Sequence, residues 1–552
     1  MTDRQTAKNK NAWQHPDAGQ ACPAPALGRR ADTAKGREPG IVMLKIDGLS
    51  YRQFQQALAK DRLPHLKRLV RSGGYALKPF YSGIPSATPV VQGELFFGVK
   101  TSVPAIAFFD RQRQKKQTML FPSAADTLAR QLENQGRPLL QGGRSYSNIY
   151  VGGAAEARYC TQTMRLRSMR QIASSGKLFL ALMGQPITFL QMLHYGLLEA
   201  GLAFTDFVRG VADGKNIFKE LKFVPTRVVV SILLRELIRI RVKRDLAGGV
   251  RIIHASFLGY DEQAHRRGPA SAFAHWCLKG IDDTIREIHR TAKRSGDRRY
   301  RLVVYADHGQ EAVRPYESQA AKSLEETVTM AIEKADGDGK ARRNGKDDVR
   351  GDALAQRARG LFGKDDRADR NPQTESASAD QTRIIAMGPL GHIYFAGSHD
   401  TLKKARVASR LVKEGKIPLV MYVAGQRVMA LNRRGTFDLA SAAGAVLGAD
   451  HAFAQATAED LMATCRHPNA GDIVISGWTP EGPPLTFAIE NGAHGGPGRE
   501  ETRAFVLLPK EMDPSAAFLR PSDLRDCVLG LLDAAPCGYR APSVQSIQET
   551  TP

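Results

Sequence analysis

The sequence predicts an α/β protein organised on parallel strands, and three observations carry that prediction. First, short runs rich in aliphatic and β-branched residues stand far apart in the chain: Ile41–Ile46 (IVMLKI), Val250–Leu258 (VRIIHASFL) and Leu302–Tyr305 (LVVY). Near-continuous apolar runs are what strands covered on both faces require. Second, helical stretches lie between them, one opened by Pro64 and closed by Gly73-Gly74, as crossover connections need. Third, an acidic residue stands at or just beyond the end of each run: Asp47, Asp261 and Asp307. The carboxyl ends of parallel strands are where α/β proteins gather their chemistry.

A chain of 552 residues fits one large domain with insertions, or several domains, and 42% hydrophobic content can fill a sizeable core. The net charge of +23 and a pI near 9.8 imply an anionic partner: nucleic acid, an anionic membrane face or a phosphorylated substrate. Nucleic acid is disfavoured, because aromatics make up only 7% and the basic residues are not interleaved with stacking aromatics. Six cysteines without a Cys-x-x-Cys pair give no sign of a zinc ribbon or a disulfide framework. The N-terminus shows no apolar signal segment, so the expected location is the cytoplasm or the periphery of a membrane.

In chain order, residues 1–38 are polar and read as a disordered leader. Residues 39–159 read as the first part of a catalytic α/β domain. Ile41–Ile46 ends in Asp47-Gly48, and Leu63–Val70 supplies the helix of the first βα unit. Within Gly83–Gly98, the hydroxyls Ser86 and Thr88 precede a mostly apolar stretch, Val90–Phe97. Such a hydroxyl either caps the helix or meets a phosphate held at the helix N-terminus.

Residues 160–249 read as a helical, basic insertion. Leu178–Leu198 runs 21 residues without a formal charge, close to a membrane span, but Gln185, Pro186, Gln191 and His194 interrupt it. Lys222–Arg244 sets seven Lys/Arg against one Glu, with Leu233, Leu237 and Ile240 on one helical face and Arg235, Arg239 and Arg241 largely outside it. That pattern suits an anionic membrane surface, or else a helix packed on the catalytic domain with a solvated basic face.

Residues 250–325 form the second catalytic part. His254 inside its strand reads as a core histidine. Asp261 and His265 are four apart, so one helical turn places both on the same face, able to grip one metal. The helix Ala272–Ala292 returns the chain to the strand ending in Asp307-His308. Residues 326–381, charged and small, read as a flexible insertion. Residues 382–540 form the third part, with Gly391–Phe395 as an edge strand, a helix at Leu402–Glu414, strands at Ile473–Ser476 and Ala504–Leu508, and a glycine-rich loop, Asn491–Glu501, bearing His494. Residues 541–552 read as a disordered tail.

Three carboxylates, three imidazoles and one hydroxyl are the inventory of two zinc sites. The elements Ile46-Asp47-Gly48, Thr88-Pro89 with Gly98, Tyr260-Asp261-x-x-x-His265-x-x-Gly268-Pro269, Ala306-Asp307-His308-Gly309 and His494-Gly495 resemble, in that order, the alkaline phosphatase superfamily, most closely its type I phosphodiesterase/nucleotide pyrophosphatase branch. The resemblance covers roughly residues 40–330 and 380–510. It implies a mostly parallel central sheet with helices on both faces, and two divalent ions, expected to be Zn2+. Asp261, His265 and His494 would hold one; Asp47, Asp307, His308 and the hydroxyl of Thr88 would hold the other. The implied activity is hydrolysis of a phosphate ester through a phosphothreonine on Thr88, with a nucleotide or a lipid headgroup as candidate substrate. One departure stands out. Nucleotide-cleaving members carry an Asn after an Asp downstream of the nucleophile, and Asp110-Arg111 stands here. A phosphomonoesterase with the same metals and a non-catalytic anion-binding protein are the alternatives.

Overall fold

The computed structural model describes residues 38–164, 201, 229–320, 322–336, 382–397 and 400–533. The leader up to residue 37, the apolar stretch Leu178–Leu198, the charged segment 337–381 and the tail lie outside them. In chain order, the central sheet takes β1 (Pro39–Ile46), β2 (Tyr75–Tyr81), β3 (Arg144–Tyr146), β4 (Glu156–Arg158), β5 (Ile252–Phe257) and β6 (Arg299–Tyr305). A second sheet takes β7 (Arg383–Met387), β8 (Leu390–Tyr394), β9 (Leu419–Ala424), β10 (Arg427–Asn432), β11 (Gly435–Asp438) and β12 (Ile473–Ser476). The last strand, β13 (Arg503–Pro509), returns to the first sheet.

The seven strands of the central sheet run β2-β13-β6-β1-β5-β3-β4. β1 pairs in parallel with β5 and β6, and β3 in parallel with β4 and β5; β13 is antiparallel to β2 and β6. The expected α/β class with a mostly parallel sheet is therefore what forms. β1 sits mid-sheet, and Ile41 through Ile46 are all fully buried. Alternate strand residues point to opposite faces, so both faces of β1 are covered.

The helices that position the site follow from local signals. The first is α1 (Tyr51–Ala59), capped by the Ser50 hydroxyl, which accepts from Gln53 N. Next, α2 (Pro64–Arg71) starts on proline with no side-chain cap of its own. Its free N–H groups, His65 N and Leu66 N, instead donate to the Asp282 carboxylate at 2.7 and 3.0 Å. Then α3 (Thr88–Phe97) begins at Thr88 and stops at Gly98, which takes the left-handed conformation at φ 78°.

The described part of the basic insertion corrects one expectation. Here α4 (Arg235–Ala247) packs on the helix Ala272–Arg294, and Arg235 and Arg239, expected to lie outside the apolar face, are buried. Arg239 pairs with Glu236 at 2.7 Å and with Glu287, and Lys243 reaches Glu287 at 3.1 Å. The buried apolar residues are Leu237, Ile238, Val242 and Leu246, so only Leu237 of the face read in sequence is buried within this helix, and the buried face extends to Arg235 and Arg239, because acidic partners make burial of guanidinium groups tolerable. Two helices follow β5, α5 (Gly259–Arg267) and α6 (Ala272–Arg294). Glu287 and Asp282 both belong to α6, so this helix braces α2 and α4 at once. Among the described residues, no helix is long and apolar enough to cross a membrane.

The second sheet is antiparallel, in order β7-β8-β12-β9-β10-β11. Its strands sort their side chains by alternation into two cores: Val420 and Tyr422 join one, Leu419 and Met421 the other. The Gly391–Phe395 segment, expected at an edge, is interior: β8 pairs with β7 on one side and β12 on the other.

Candidate metal centre

Five separate elements deliver the predicted residues to one place. Asp47 follows β1, Thr88 opens α3, Asp261 and His265 share one face of α5, Asp307 and His308 follow β6, and His494 comes from the glycine-rich loop. Gly48 turns with φ 73°, and a Cβ there would collide with the Asp261 carboxylate, so glycine lets the strand end approach α5.

Thr88 Oγ1 donates to Asp307 Oδ2 at 2.8 Å and lies 3.4 Å from His308 Nε2. His308 Nε2 is 3.5 Å from Asp47 Oδ1. His265 Nε2 is 3.6 Å from Asp261 Oδ2, and His494 Nε2 is 3.9 Å from Asp261 Oδ1. The His308 and His494 rings stack at 3.8 Å. Two sets of candidate ligand atoms lie within 4.8 Å of one another: Asp261, His308, His494 and Asp47, Asp307, His308. The structure thus brings all seven sequence-predicted residues together, and puts His308 between the two expected groups. Asp307 and His308 are fully buried, Asp47 and Asp261 nearly so, and Thr88 and His494 stand at the more open rim at 9% exposure each.

The imidazoles share one arrangement. His265 Nδ1 meets Glu490 Oε2 at 2.8 Å and Gly492 O at 2.9 Å; His308 Nδ1 meets Gly309 O at 3.0 Å; His494 Nδ1 meets Ser86 O at 3.0 Å. Carbonyl and carboxylate oxygens only accept, so each Nδ1 carries the proton. Every Nε2 is thereby turned inward toward carboxylates. Outer oxygen acceptors that fix the tautomer are what metal-binding histidines use. Asp307 Oδ1 is buried with no hydrogen-bond partner among the described residues, as an oxygen meant for a cation would be. The donor chemistry fits divalent ions such as zinc.

Electrostatics follow from burial. Burial pushes the His494 imidazole well below its usual pKa, aided by the His308 neighbour, leaving Nε2 a lone pair. Burial alone would lower His265, but the Asp261 and Glu490 carboxylates outweigh it and raise it to about 10. Burial would raise Asp307, but His308 and Lys45 hold its carboxyl well below the carboxylate range.

Several members of the site were not read from sequence. Lys45, inside β1, is fully buried, with Nζ 2.6 Å from Asp307 Oδ2 and 3.3 Å from Asp47 Oδ2. Burial would lower its pKa, but Asp307 and Asp47 outweigh that and raise it. A signal existed: a lysine in an apolar run, two positions before Asp47, shares that residue's strand face. Gln310 Nε2 donates to Asp261 Oδ1 at 2.6 Å, and Glu490 fixes His265; neither has a local sequence pattern.

The two candidate hydroxyls separate by partner. Ser86 Oγ donates to Gly496 O at 2.8 Å and accepts from Gly495 N at 3.0 Å, so it clamps the His494 loop. Thr88 faces the carboxylate cluster. Arg111 is committed elsewhere: its guanidinium donates to Ala470 O at 3.0 Å and pairs with Asp472. It does not stand in for the missing Asn. His254 bonds Tyr305 Oη at 2.8 Å within the core, as expected of a core histidine.

No protein-family model and no curated protein matches the chain. Solved structures do match it. Murine ectonucleotide pyrophosphatase/phosphodiesterase 5, in an inactive form in complex with AMP, is 11% identical with a TM-score of 0.47, covering 93% of this chain and 99% of that one. Phosphonoacetate hydrolase from Sinorhizobium meliloti, in complex with phosphonoformate, is 13% identical with a TM-score of 0.41, covering 91% of this chain and 96% of that one.

Proposed function

We propose that the chain is a divalent-metal-dependent phosphoesterase, a phosphodiesterase of the alkaline phosphatase type, with Thr88 as nucleophile. The observation that carries the reading is the common posture of His265, His308 and His494, each tied outward through Nδ1 and turned inward through Nε2, with His308 Nε2 3.4 Å from the Thr88 hydroxyl. Asp261, His265 and His494 would hold a divalent ion. Asp47, Asp307 and His308 offer a second donor set, into which Lys45 also reaches. An ion held there would polarise phosphoryl oxygens and favour departure of the leaving oxygen.

The chain's own residues then do the following. Thr88 stands at the N-terminus of α3, where the helix dipole attracts the phosphoryl group. Asp307, kept ionised, accepts the Thr88 hydroxyl hydrogen bond and aims the oxygen. The Thr88 oxygen bonds to phosphorus as the bond to the leaving oxygen breaks; the Thr88 proton departs along its hydrogen bond to Asp307 and passes to solvent, and the leaving oxygen takes up a proton to depart as the alcohol, giving a phosphothreonine. Water then cleaves the new bond, Thr88 regains its proton, and the configuration at phosphorus is retained overall. Nucleotides and lipid headgroups are the candidate substrates. Turnover of bis-p-nitrophenyl phosphate against p-nitrophenyl phosphate, each compared with Thr88→Ala, tests the reading. Full turnover by Thr88→Ala on every ester would remove the nucleophile.

A further inference from the structure

Lys45 shares the face of β1 that carries Asp47, and the position of its amine has a consequence for metal content. Nζ lies 2.6 Å from Asp307 Oδ2, 3.3 Å from Asp47 Oδ2 and 3.4 Å from Thr88 Oγ1. These are oxygens that an ion shared by Asp47, Asp307 and Thr88 would have to take. The side chain is fully buried in the middle strand of the sheet. Across the cluster, the donors around Asp261 are imidazole nitrogens aimed inward at 3.6 and 3.9 Å. One end of the cluster therefore contains a lysine amine built into the chain, and the other presents two imidazole nitrogens to a carboxylate.

We propose that Lys45 supplies the second positive charge of the site, so that the chain binds a single divalent ion, at Asp261, His265 and His494. The Lys45 amine reaches into the Asp47, Asp307 and His308 donor set. The inference rests on the metal-dependent reading above. Geometry supports it. A second dication would compete with Nζ for the same Asp47 and Asp307 oxygens, and displacing a buried ammonium from its partners is costly. In the reaction, the ammonium lies against Thr88 Oγ1 and stabilises negative charge developing on that oxygen as it attacks.

Metal counting decides the matter without reference to turnover. The full chain is stripped with chelator, dialysed against excess Zn2+, desalted and measured by elemental analysis. The expected result is one zinc per wild-type chain, with a second gained by Lys45→Met. Two zinc per wild-type chain overturns the proposal and leaves the phosphoesterase reading standing; a folded wild type with no zinc overturns both. Lys45→Met that folds and still binds one zinc also overturns it. Should Lys45→Met fail to fold, Asp261→Asn decides: loss of all zinc supports the proposal, and retention of one zinc overturns it.

Discussion

Glu490 offers a graded test of how His265 is held. Its Oε2 accepts from His265 Nδ1 at 2.8 Å, and its Oε1 accepts from the Thr486 hydroxyl at 2.6 Å. The Gly492 carbonyl, at 2.9 Å, is a second acceptor for the same Nδ1 proton. Glu490→Gln therefore leaves one neutral hydrogen bond in place and removes a charge-assisted one. A charged hydrogen bond contributes roughly 1 to 1.5 kcal/mol more than a neutral one. Removal of a ligand-orienting partner costs about 10- to 100-fold in metal affinity, and the surviving Gly492 bond places this case at the lower end, about tenfold. Competition for Zn2+ against a chromophoric chelator reads the change, with a thermal melt of the metal-free protein to show that the fold is intact. An affinity within about twofold of wild type would refute the reasoning, because His265 would then not be a ligand positioned by Glu490.

Three further outcomes are expected. Ser86→Ala removes the clamp on Gly495 N and Gly496 O and costs about 1 to 2 kcal/mol in urea unfolding, while lowering turnover rather than abolishing it; abolition equal to Thr88→Ala would reverse the two roles. Asp282→Ala strips the acceptor from His65 N and Leu66 N at the start of α2 and costs about 1 to 2 kcal/mol, read as a lowered urea midpoint with an unchanged slope. Burial, with repulsion from Glu501, pushes Glu311 up to about 8, and burial pushes Glu501 up to about 7 despite N–H donors from Gly498 and Gly496. Between the ordinary carboxylate range and these values the unfolded chain has lost protons that the folded one keeps, so stability falls as pH rises through the window. The melting temperature of the metal-free protein should drop from pH 5 to pH 8, less steeply in Glu311→Gln; a flat wild-type profile would contradict the assignment.

What could be read in the sequence was local. Asp307-His308 is a dipeptide, and Asp261 and His265 are one helical turn apart, so chain geometry alone pairs them. The strand at Ile41–Ile46 was legible because burial on both faces demands a continuous apolar run. Lys45 broke that run, and its place beside Asp47 was there to be read from strand alternation. Glu490 was hidden because its partner is 225 residues away. The second sheet was under-read for a physical reason: β9 and β10 are covered on both sides, so their apolar residues do not alternate with polar ones, and the hairpin between them lacks an Asn-Gly turn. Arg235 and Arg239 misled because helical phase was read from leucines, whereas burial followed the acidic partners Glu236 and Glu287.

The second sheet bears on the chemistry through its points of departure and return. The chain leaves the candidate centre just after His308 and re-enters it at Glu490 and His494. Gly492–Ala493 pairs antiparallel with Glu311–Ala312, so the outgoing and returning strands are bonded side by side at the site itself. Asn491 N also donates to His265 O at 2.8 Å. The returning segment therefore supplies both the acceptor that orients His265 and the third imidazole, while Glu501 holds its far end through Gly496 N and Gly498 N at 2.7 Å each. Displacement of this segment would shift His265 and His494 together and leave Thr88, Asp307 and Lys45 on the sheet and α3. The fold thus splits the candidate centre into a fixed half carrying Thr88, the proposed nucleophile, with Lys45 beside it, and a half whose geometry depends on how the second sheet's return strand is seated. Mutations in that segment should weaken metal binding first, and mutations under β1 should impair attack at phosphorus while metal binding is kept.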